Sequence, residues 1–157
     1  MENRLGIVIL NYLNYEDTIE CVDSILEKEY PVCGIVVVDN GSKNGSLEAF
    51  REKYQKQEFV FIIETRKNIG FAKGNNLGIR YARKKLGAQY IFVVNNDTIF
   101  TDPQYFDRLL AHCGPKTGII RSNIRLTDGS IFQEGWLDLC YPWVRREYLD
   151  YFFIVHG

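Results

Sequence analysis

Two amides and one carboxylate follow a short apolar run in the second half of the chain. The run from Tyr90 to Val94 is rich in aromatic and β-branched residues, which predicts a buried strand. Directly after it come Asn95, Asn96 and Asp97. A lone carboxylate between neutral neighbours suits one hard divalent cation that a phosphate-bearing ligand also helps to hold. The structural alternative is a plain turn, since Asn and Asp favour turns through local hydrogen bonds.

Two earlier apolar runs also end in polar side chains. Asn11 follows the run from Leu5 to Leu10, and Asp39 follows the run from Gly34 to Val38. The carboxyl ends of parallel strands meet at one edge of a sheet, and open α/β sheets bind ligands in the crevice outside that edge. We therefore expect Asn11, Asp39 and Asp97 to gather along one rim, where a cation and a diphosphate share the site.

Strand and helix patterns alternate four times along the chain. This order predicts an α/β fold with a mostly parallel sheet, helices on both faces and right-handed crossovers. The remaining predicted strand is Phe59 to Ile63, and the predicted helices are Asp17 to Lys28, Ser46 to Gln55, one ending near Leu86-Gly87, and Asp102 to about Cys113. Near the end, Asp128-Gly129 between Thr117 to Leu126 and Ile131 to Gln133 predicts an antiparallel hairpin.

The longest polar connection runs from Glu64 to Asn76 and is rich in glycines, amides and cations. Gly70 and Gly74 would let the backbone approach a ligand closely. The cations Arg66, Lys67 and Lys73 could meet phosphate charge, although a solvated loop explains each of them taken singly. The adjoining cations Arg80, Arg83, Lys84 and Lys85 are most simply a solvated helix face.

Length and composition exclude several classes of protein. A chain of 157 residues suits one domain, and a net charge of -1 gives no electrostatic reason to expect a nucleic-acid partner. The four cysteines are too widely spaced for a zinc site and are expected to be reduced. No signal peptide or membrane-spanning run is predicted, so a cytoplasmic location is expected. Residues 11–18 contain no glycine, which argues against a dinucleotide-binding fold.

Four motifs in this order resemble the GT-A domain of family 2 glycosyltransferases, and among them the rhamnosyltransferase-like branch. The resemblance covers roughly Leu5 to Trp136, and the motifs are I-V-I-L-N-Y, V-V-V-D-N-G-S, N-I-G-F-A-K-G-N-N-L-G and V-V-N-N-D-T. It implies an inverting, metal-assisted transfer of a sugar from a UDP- or dTDP-sugar to a glycan or lipid-linked acceptor in cell-wall or polysaccharide synthesis.

The same resemblance implies roles for individual residues. Asn11 and Asp39 would contact the base and ribose of the donor, and Asp97 would ligate Mg or Mn. The residues expected to complete the donor pocket are Asn68, Gly70, Asn75, Asn95 and Asn96.

The chain departs from the family pattern at two points. Where many relatives carry Asp-x-Asp, this chain has Asn95-Asn96-Asp97, so a single protein carboxylate is available for the cation. No Glu-Asp pair follows Asp97 to supply the general base; Glu134, Asp138 and Asp150 are possible bases, and none is assigned. We therefore expect residues 1–157 to be a single donor-binding domain without the acceptor-binding part, the alternative being a non-catalytic module that binds nucleotide sugars.

Two further expectations concern partners. The apolar run from Tyr151 to Val155 would leave an uncovered edge, which favours a homo-oligomer or partner interface there. Peripheral association with the inner face of a membrane is expected if the acceptor is lipid-linked.

Overall fold

The computed structural model describes residues 4–113, 124–125 and 130–133. The main strands are β1 (Leu5–Asn11), β2 (Val32–Asp39), β3 (Val60–Glu64) and β4 (Tyr90–Asn95). The helices are α1 (Tyr15–Leu26), α2 (Ser46–Tyr54), α3 (Phe71–Lys85) and α4 (Tyr105–Ala111). Each of these strands begins and ends within two residues of its predicted position, because a continuous apolar run marks a strand that is buried on both faces.

All four strands are parallel and pair in the order β3-β2-β1-β4. The chain therefore builds outward from β1 through β2 to β3 and then returns to place β4 on the other side of β1. The strand order reverses at β1, and in open α/β sheets a ligand crevice forms at such a point. The predicted parallel α/β sheet is confirmed.

Helices cover both faces of this sheet, as predicted. On one face Ile7, Ile9 and Val37 pack with buried residues of α1, α2 and α4, among them Cys21, Val22, Phe50 and Phe106. On the other face Val8, Val36 and Val38 pack with Ala82 of α3. Among the described helices, α3 alone lies on this second face.

The start of α3 differs from the prediction. The polar connection was expected to continue to Asn76, but the helix begins at Phe71, so Gly74 and Asn75 lie inside it. Glycine and asparagine are weak helix formers, and packing on the sheet overrides that preference here. Gly74 does not open the backbone to a ligand. It brings α3 close to β1, since a Cβ at this position would lie 2.5 Å from Cδ1 of Leu10.

Gly78 makes the closest approach between α3 and the sheet, and its replacement by alanine should destabilise the protein. The added Cβ would lie 2.4 Å from Cγ1 of Val8 and 3.1 Å from Cγ2 of Val38. Overpacking typically costs about 1–3 kcal/mol, and contacts this short favour the upper part of that range, above the roughly 1 kcal/mol that alanine gains over glycine in a helix. We expect urea unfolding of Gly78→Ala to show a loss of about 1–2 kcal/mol.

The matched control is Asn76→Ala, on the outer side of the same helix, which should leave stability equal or slightly higher. A Gly78→Ala chain as stable as the unchanged protein would contradict the close packing of α3.

The fourth helix, in contrast to α3, starts later than predicted. Asp102 was expected to cap it directly, whereas α4 begins at Tyr105 with Gln104 at the N-cap. The Asp102 carboxylate instead accepts a hydrogen bond of 3.0 Å from the Gln104 amide and pairs with Arg108. Asp102 thus holds the turn that leads into the helix.

The last described elements are two short antiparallel strands, β5 (Ile124–Arg125) and β6 (Ile131–Gln133). The predicted turn at Asp128-Gly129 lies outside the described residues, as do Glu134, Asp138, Asp150 and the run from Tyr151 to Val155. Within the described part of the chain, none of the helices has the length and apolar character that crossing a membrane requires.

Candidate functional site

The register of the sheet brings the predicted polar strand ends together. Asn11 of β1 pairs directly with Asp39 of β2, and Leu10 of β1 pairs with Asn95 of β4. Neighbouring strands lie about 4.8 Å apart, so the ends of β2, β1 and β4 fall within about 10 Å of one another. We call this carboxyl edge of the sheet the rim. By contrast, a surface groove of about 710 Å³ beside Arg4, Val32 and Asp107 lies away from every predicted site residue.

At the centre of the rim the Asp39 carboxylate is held by two neighbours. Its Oδ1 accepts hydrogen bonds from Asn11 Nδ2 at 2.8 Å and from Ser42 Oγ at 2.5 Å. Asn11 Nδ2 also donates to Ser42 Oγ at 3.1 Å. Asn11 is fully buried and Asp39 is 3% exposed, so the carboxylate has one fixed orientation. The other oxygen, Oδ2, receives only a long contact of 3.4 Å from the Ser42 amide.

A second set of hydrogen bonds continues from Asn11 to the end of β4. Thr18 Oγ1 donates to Asn11 Oδ1 at 2.9 Å, and Asn96 Nδ2 donates to Thr18 Oγ1 at 3.1 Å. Asn96 Nδ2 also reaches the Asn14 carbonyl at 3.1 Å. The chain Asp39, Asn11, Thr18, Asn96 therefore links the ends of β2, β1 and β4 through α1.

A third cluster positions the connection between β3 and α3. Asn40 Nδ2 donates to Asn68 Oδ1 at 3.1 Å, and the Ile69 amide donates to Asn40 Oδ1 at 3.0 Å. Asn68 Oδ1 also accepts from the Gly70 amide at 2.8 Å. Asn68 is exposed, and its side-chain oxygen Oδ1 already accepts hydrogen bonds from Asn40 and Gly70. Its visible role is to hold the loop.

Two glycines make this loop geometry possible. Gly41 has φ 72°, and a Cβ there would lie 2.5 Å from the Lys67 carbonyl carbon, so the two loops abut. Gly70 precedes α3 with φ 87° and ψ 160°, a conformation that is essentially restricted to glycine. Gly70 is exposed with open space where a Cβ would lie, while its amide is used by Asn68 Oδ1.

Asn75 is placed differently from the other predicted pocket residues. It lies on α3, is 6% exposed, and its Nδ2 donates to the Phe71 carbonyl at 3.2 Å. Its Oδ1 is buried without a hydrogen-bond partner among the described residues. An unpaired buried amide oxygen costs about 1–3 kcal/mol, so a water or a moved neighbour that donates to Oδ1 would be favoured. Contact between Asn75 and a donor stays a prediction.

Asp97 lies at the open side of the rim. Asp97 and Asn95 are exposed and Asn96 is partly buried. Within the described residues, no group of three or more His, Cys, Asp and Glu side chains could enclose a metal ion. One exposed carboxylate does fit a Mg-type cation, which usually keeps several waters and binds through one or two carboxylates plus substrate phosphates.

Cys21 of α1 lies next to the loop that follows β4 and carries Asp97. The pKa of the Cys21 thiol is raised from 9.0 to about 12, mainly by burial and also by the nearby Asp97 charge, while a hydrogen bond with the Thr98 backbone lowers it. The Cys21 thiol also contacts the Asn95 carbonyl oxygen at 3.8 Å. The loop after β4 therefore packs on α1 while its carboxylate faces solvent.

The raised pKa of Cys21 predicts a thiol that resists alkylation in the folded protein. Because the folded pKa lies above the unfolded one, the contribution to stability is complete below about pH 9 and is lost as the pH rises toward 12. Iodoacetamide labelling at mildly alkaline pH, mapped by mass spectrometry, should modify the half-buried Cys33 and Cys113 well before Cys21. Equal labelling of Cys21 and Cys33 would contradict the buried placement.

Exposed apolar side chains share the rim with these polar groups. The exposed large hydrophobic residues in the described part of the chain include Tyr12, Leu13, Phe71 and Ile99, all in segments that begin at the rim. Leu13 has φ 66°, an uncommon conformation for a bulky residue, and its backbone is held there by Ser42 Oγ and Asn44 Nδ2 at 3.0 Å each. Such strain clusters at ligand-binding sites.

Sequence reasoning missed several residues of this network. Thr18, Asn40 and Ser42 were not predicted as site residues. Ser42 and Asn40 flank Gly41 in the Asp-Asn-Gly-Ser turn, and that turn was the available signal. Thr18 gave no signal in the linear pattern, because it reaches Asn11 only once α1 folds back along β1.

Comparison with known proteins finds relatives that are named as enzymes of glycan synthesis. The low-salt glycan biosynthesis hexosyltransferase of Haloferax volcanii is 26% identical over 129 residues, which are 82% of this chain and 39% of that protein. The poly-β-1,6-N-acetyl-D-glucosamine synthase of Staphylococcus epidermidis is 25% identical over 127 residues, 80% of this chain and 30% of that protein. The chain thus spans about a third of the length of these relatives.

Solved structures support the fold. The mannosyltransferase PcManGT from Pyrobaculum calidifontis, in complex with GDP-Man and Mn²⁺, superposes with a TM-score of 0.66 at 21% identity over 78% of this chain and 36% of its own. Residues 1–349 of S. aureus TarS, in complex with UDP-GlcNAc, superpose with a TM-score of 0.58 at 18% identity over 69% of this chain and 30% of that chain. Both likenesses confirm the GT-A fold.

The family model described as glycosyl transferase family 2 matches residues 6–153, which span nearly the whole chain and the entire rim. The chain therefore belongs to glycosyl transferase family 2.

Proposed function

We propose that residues 1–157 form the donor-binding part of an inverting, metal-assisted glycosyltransferase. The observation that carries this proposal is the hydrogen-bonded chain from Asp39 through Asn11 and Thr18 to Asn96, with exposed Asp97 beside it. It sets one fixed carboxylate and one free carboxylate at the same edge of the sheet. The ribose hydroxyls of a nucleotide diphosphate could donate hydrogen bonds to Asp39. Its phosphates would be linked to Asp97 through a cation.

Each carboxylate has a distinct task in this proposal. Asp39 accepts hydrogen bonds from ribose or base, because its Oδ2 is the less occupied oxygen in a preorganised group. Asn11 acts by orienting Asp39, since its own amide is buried and fully used by Asp39, Ser42 and Thr18. Asp97 would hold Mg or Mn, whose positive charge would offset that of the diphosphate. The exposed Arg66 and Lys67 add positive charge beside the rim.

The reaction separates a sugar from a nucleotide diphosphate, so negative charge grows on the departing phosphates. A divalent cation, when bound, stabilises that charge directly. The protein's own part is to hold the nucleotide in one orientation and Asp97 near the phosphates. Inversion requires a base to take the acceptor's proton, and we assign none.

The comparisons support the donor class but not one donor. TarS is solved with UDP-GlcNAc and PcManGT with GDP-Man and Mn²⁺, so the solved neighbours differ in nucleotide and sugar. We propose a UDP- or dTDP-sugar as donor and a glycan or lipid-linked acceptor. Because the chain spans about a third of its relatives' length, the proposal extends to the complete transfer reaction only through its donor side.

Titration calorimetry with UDP- and dTDP-sugars, with and without Mn²⁺, tests the proposal. We expect binding of at least one donor that strengthens when Mn²⁺ is present. No binding of any donor under both conditions would remove the proposed function. Donor binding without transfer or hydrolysis would instead favour the alternative, a non-catalytic module that binds nucleotide sugars.

A further inference from the structure

The positive charge of this chain is concentrated around α3. Residues 65–96 contain seven of the 19 Lys and Arg residues and none of the 20 Asp and Glu residues. The protein has a net charge of -1, so the rest of the chain is acidic. The seven cations are Arg66, Lys67, Lys73, Arg80, Arg83, Lys84 and Lys85.

Helix geometry places four of these cations on the outer side of α3. Lys73, Arg80 and Lys84 recur at intervals of seven and four residues, which keeps them along one row of a helix with 3.6 residues per turn. Arg83 lies on the adjoining row. The sheet-facing side is formed by Gly74, Gly78 and Ala82, which are buried. We call Lys73, Arg80, Arg83 and Lys84 the basic face of α3.

Within the part of the chain that the structure describes, the basic face forms no ion pair with an acidic residue. The ion pairs among the described residues are Arg51–Glu64, Lys53–Asp23 and Arg108–Asp102, and α3 itself contains no acidic residue. All four cations of the basic face are exposed. Among the described helices, α3 alone lies on its side of the sheet, so none of the others covers these side chains.

We propose that the basic face of α3 docks the protein on an anionic lipid surface. Each Lys or Arg near such a surface adds to the attraction, and basic helices with one cationic side are typical of membrane-surface binding. The row lies on the convex outer side of a helix, which a plane of headgroups can contact along its length. A soluble phosphate or polyanion would be better held in a concave site.

Docking in this way orients the rim. The helix begins at the rim with Phe71 and runs to the opposite edge, so the basic face extends away from the donor site along about 22 Å of helix. The rim then opens beside the headgroups, where a lipid-linked acceptor would be presented. The docking itself does not depend on the proposed transferase function.

The test is co-sedimentation of the whole chain with phosphatidylcholine vesicles that contain or lack phosphatidylglycerol. We expect binding only to the anionic vesicles, weakening as salt is raised. The triple variant Arg80→Gln, Arg83→Gln, Lys84→Gln should bind roughly 100-fold more weakly, at about fivefold per removed cation. Lys73 is left unchanged because it lies nearest the rim.

The matched control removes the same charge elsewhere, by Lys28→Gln, Arg51→Gln and Lys56→Gln in or just after α1 and α2. This control should keep most of the vesicle binding. Equal binding to neutral vesicles, an equal loss in both triple variants, or binding of soluble polyphosphate without binding of vesicles would overturn the proposal. Circular dichroism of both variants checks that they are folded, and donor calorimetry separates this result from the proposed function.

Discussion

Asp97→Asn is expected to remove the cation dependence of donor binding. The variant keeps the size of the side chain but lacks the exposed carboxylate that we propose as the ligand of the cation. Loss of even an outer-shell partner lowers metal affinity by 10- to 100-fold, so loss of the proposed protein ligand should weaken Mn²⁺-dependent binding by about 100-fold or more. Calorimetry with Mn²⁺ and a nucleoside diphosphate measures this directly.

Two further variants sharpen the result. Asp107→Asn, on the exposed surface of α4, makes the same chemical change away from the rim and should leave binding unchanged. Asn95→Asp adds a second exposed carboxylate two residues before Asp97 and should strengthen cation binding. If Asp97→Asn retains Mn²⁺-dependent affinity, the assignment of Asp97 fails.

The second large effect is expected at Asp39, where two substitutions separate stability from binding. Asp39→Ala leaves Asn11 Nδ2 and Ser42 Oγ without their buried acceptor and should cost about 1–3 kcal/mol of unfolding free energy. Asp39→Asn keeps an amide oxygen for these donors and should be nearly as stable as the unchanged chain. It still loses the negative charge that accepts hydrogen bonds from the nucleotide, so nucleotide affinity should fall on the order of tenfold.

Urea unfolding and calorimetry on the two variants check this separation. Ser42→Ala serves as the control, because it removes one hydrogen bond to Asp39 and leaves the carboxylate in place. An Asp39→Asn chain that binds nucleotide as tightly as the unchanged chain would show that Asp39 only supports the loop.

The sheet could be predicted from the sequence because each strand is marked by a local run of apolar residues. Runs such as Leu5 to Leu10 and Tyr90 to Val94 are apolar throughout, and the polar residues that follow them mark the rim. The pairing of Asn11 with Asp39 follows from parallel strands of similar length. The apolar runs and their parallel pairing were therefore enough to predict most of the fold and about half of the candidate site.

The other half depends on contacts between segments that are distant in the chain. Thr18 joins Asn11 to Asn96. Asn96 lies 78 residues after Thr18, and no local sequence pattern predicts this link. The early start of α3 was hidden because Gly74 and Asn75 favour loops, whereas close packing against Leu10 fixes them in a helix. The strained backbone of Leu13 likewise follows from Ser42 and Asn44, in another loop.

Paramagnetic broadening by Mn²⁺ is the most direct test of the shared rim. In the presence of a nucleoside diphosphate and a trace of Mn²⁺, the backbone amide signals of Asn11, Ser42 and Asn96 should broaden strongly. Those of Val32 and Gly87, at the opposite edge of the sheet, should stay sharp. Broadening centred on the opposite edge, or no selective broadening at all, would contradict a cation and a diphosphate held together where β1, β2 and β4 end.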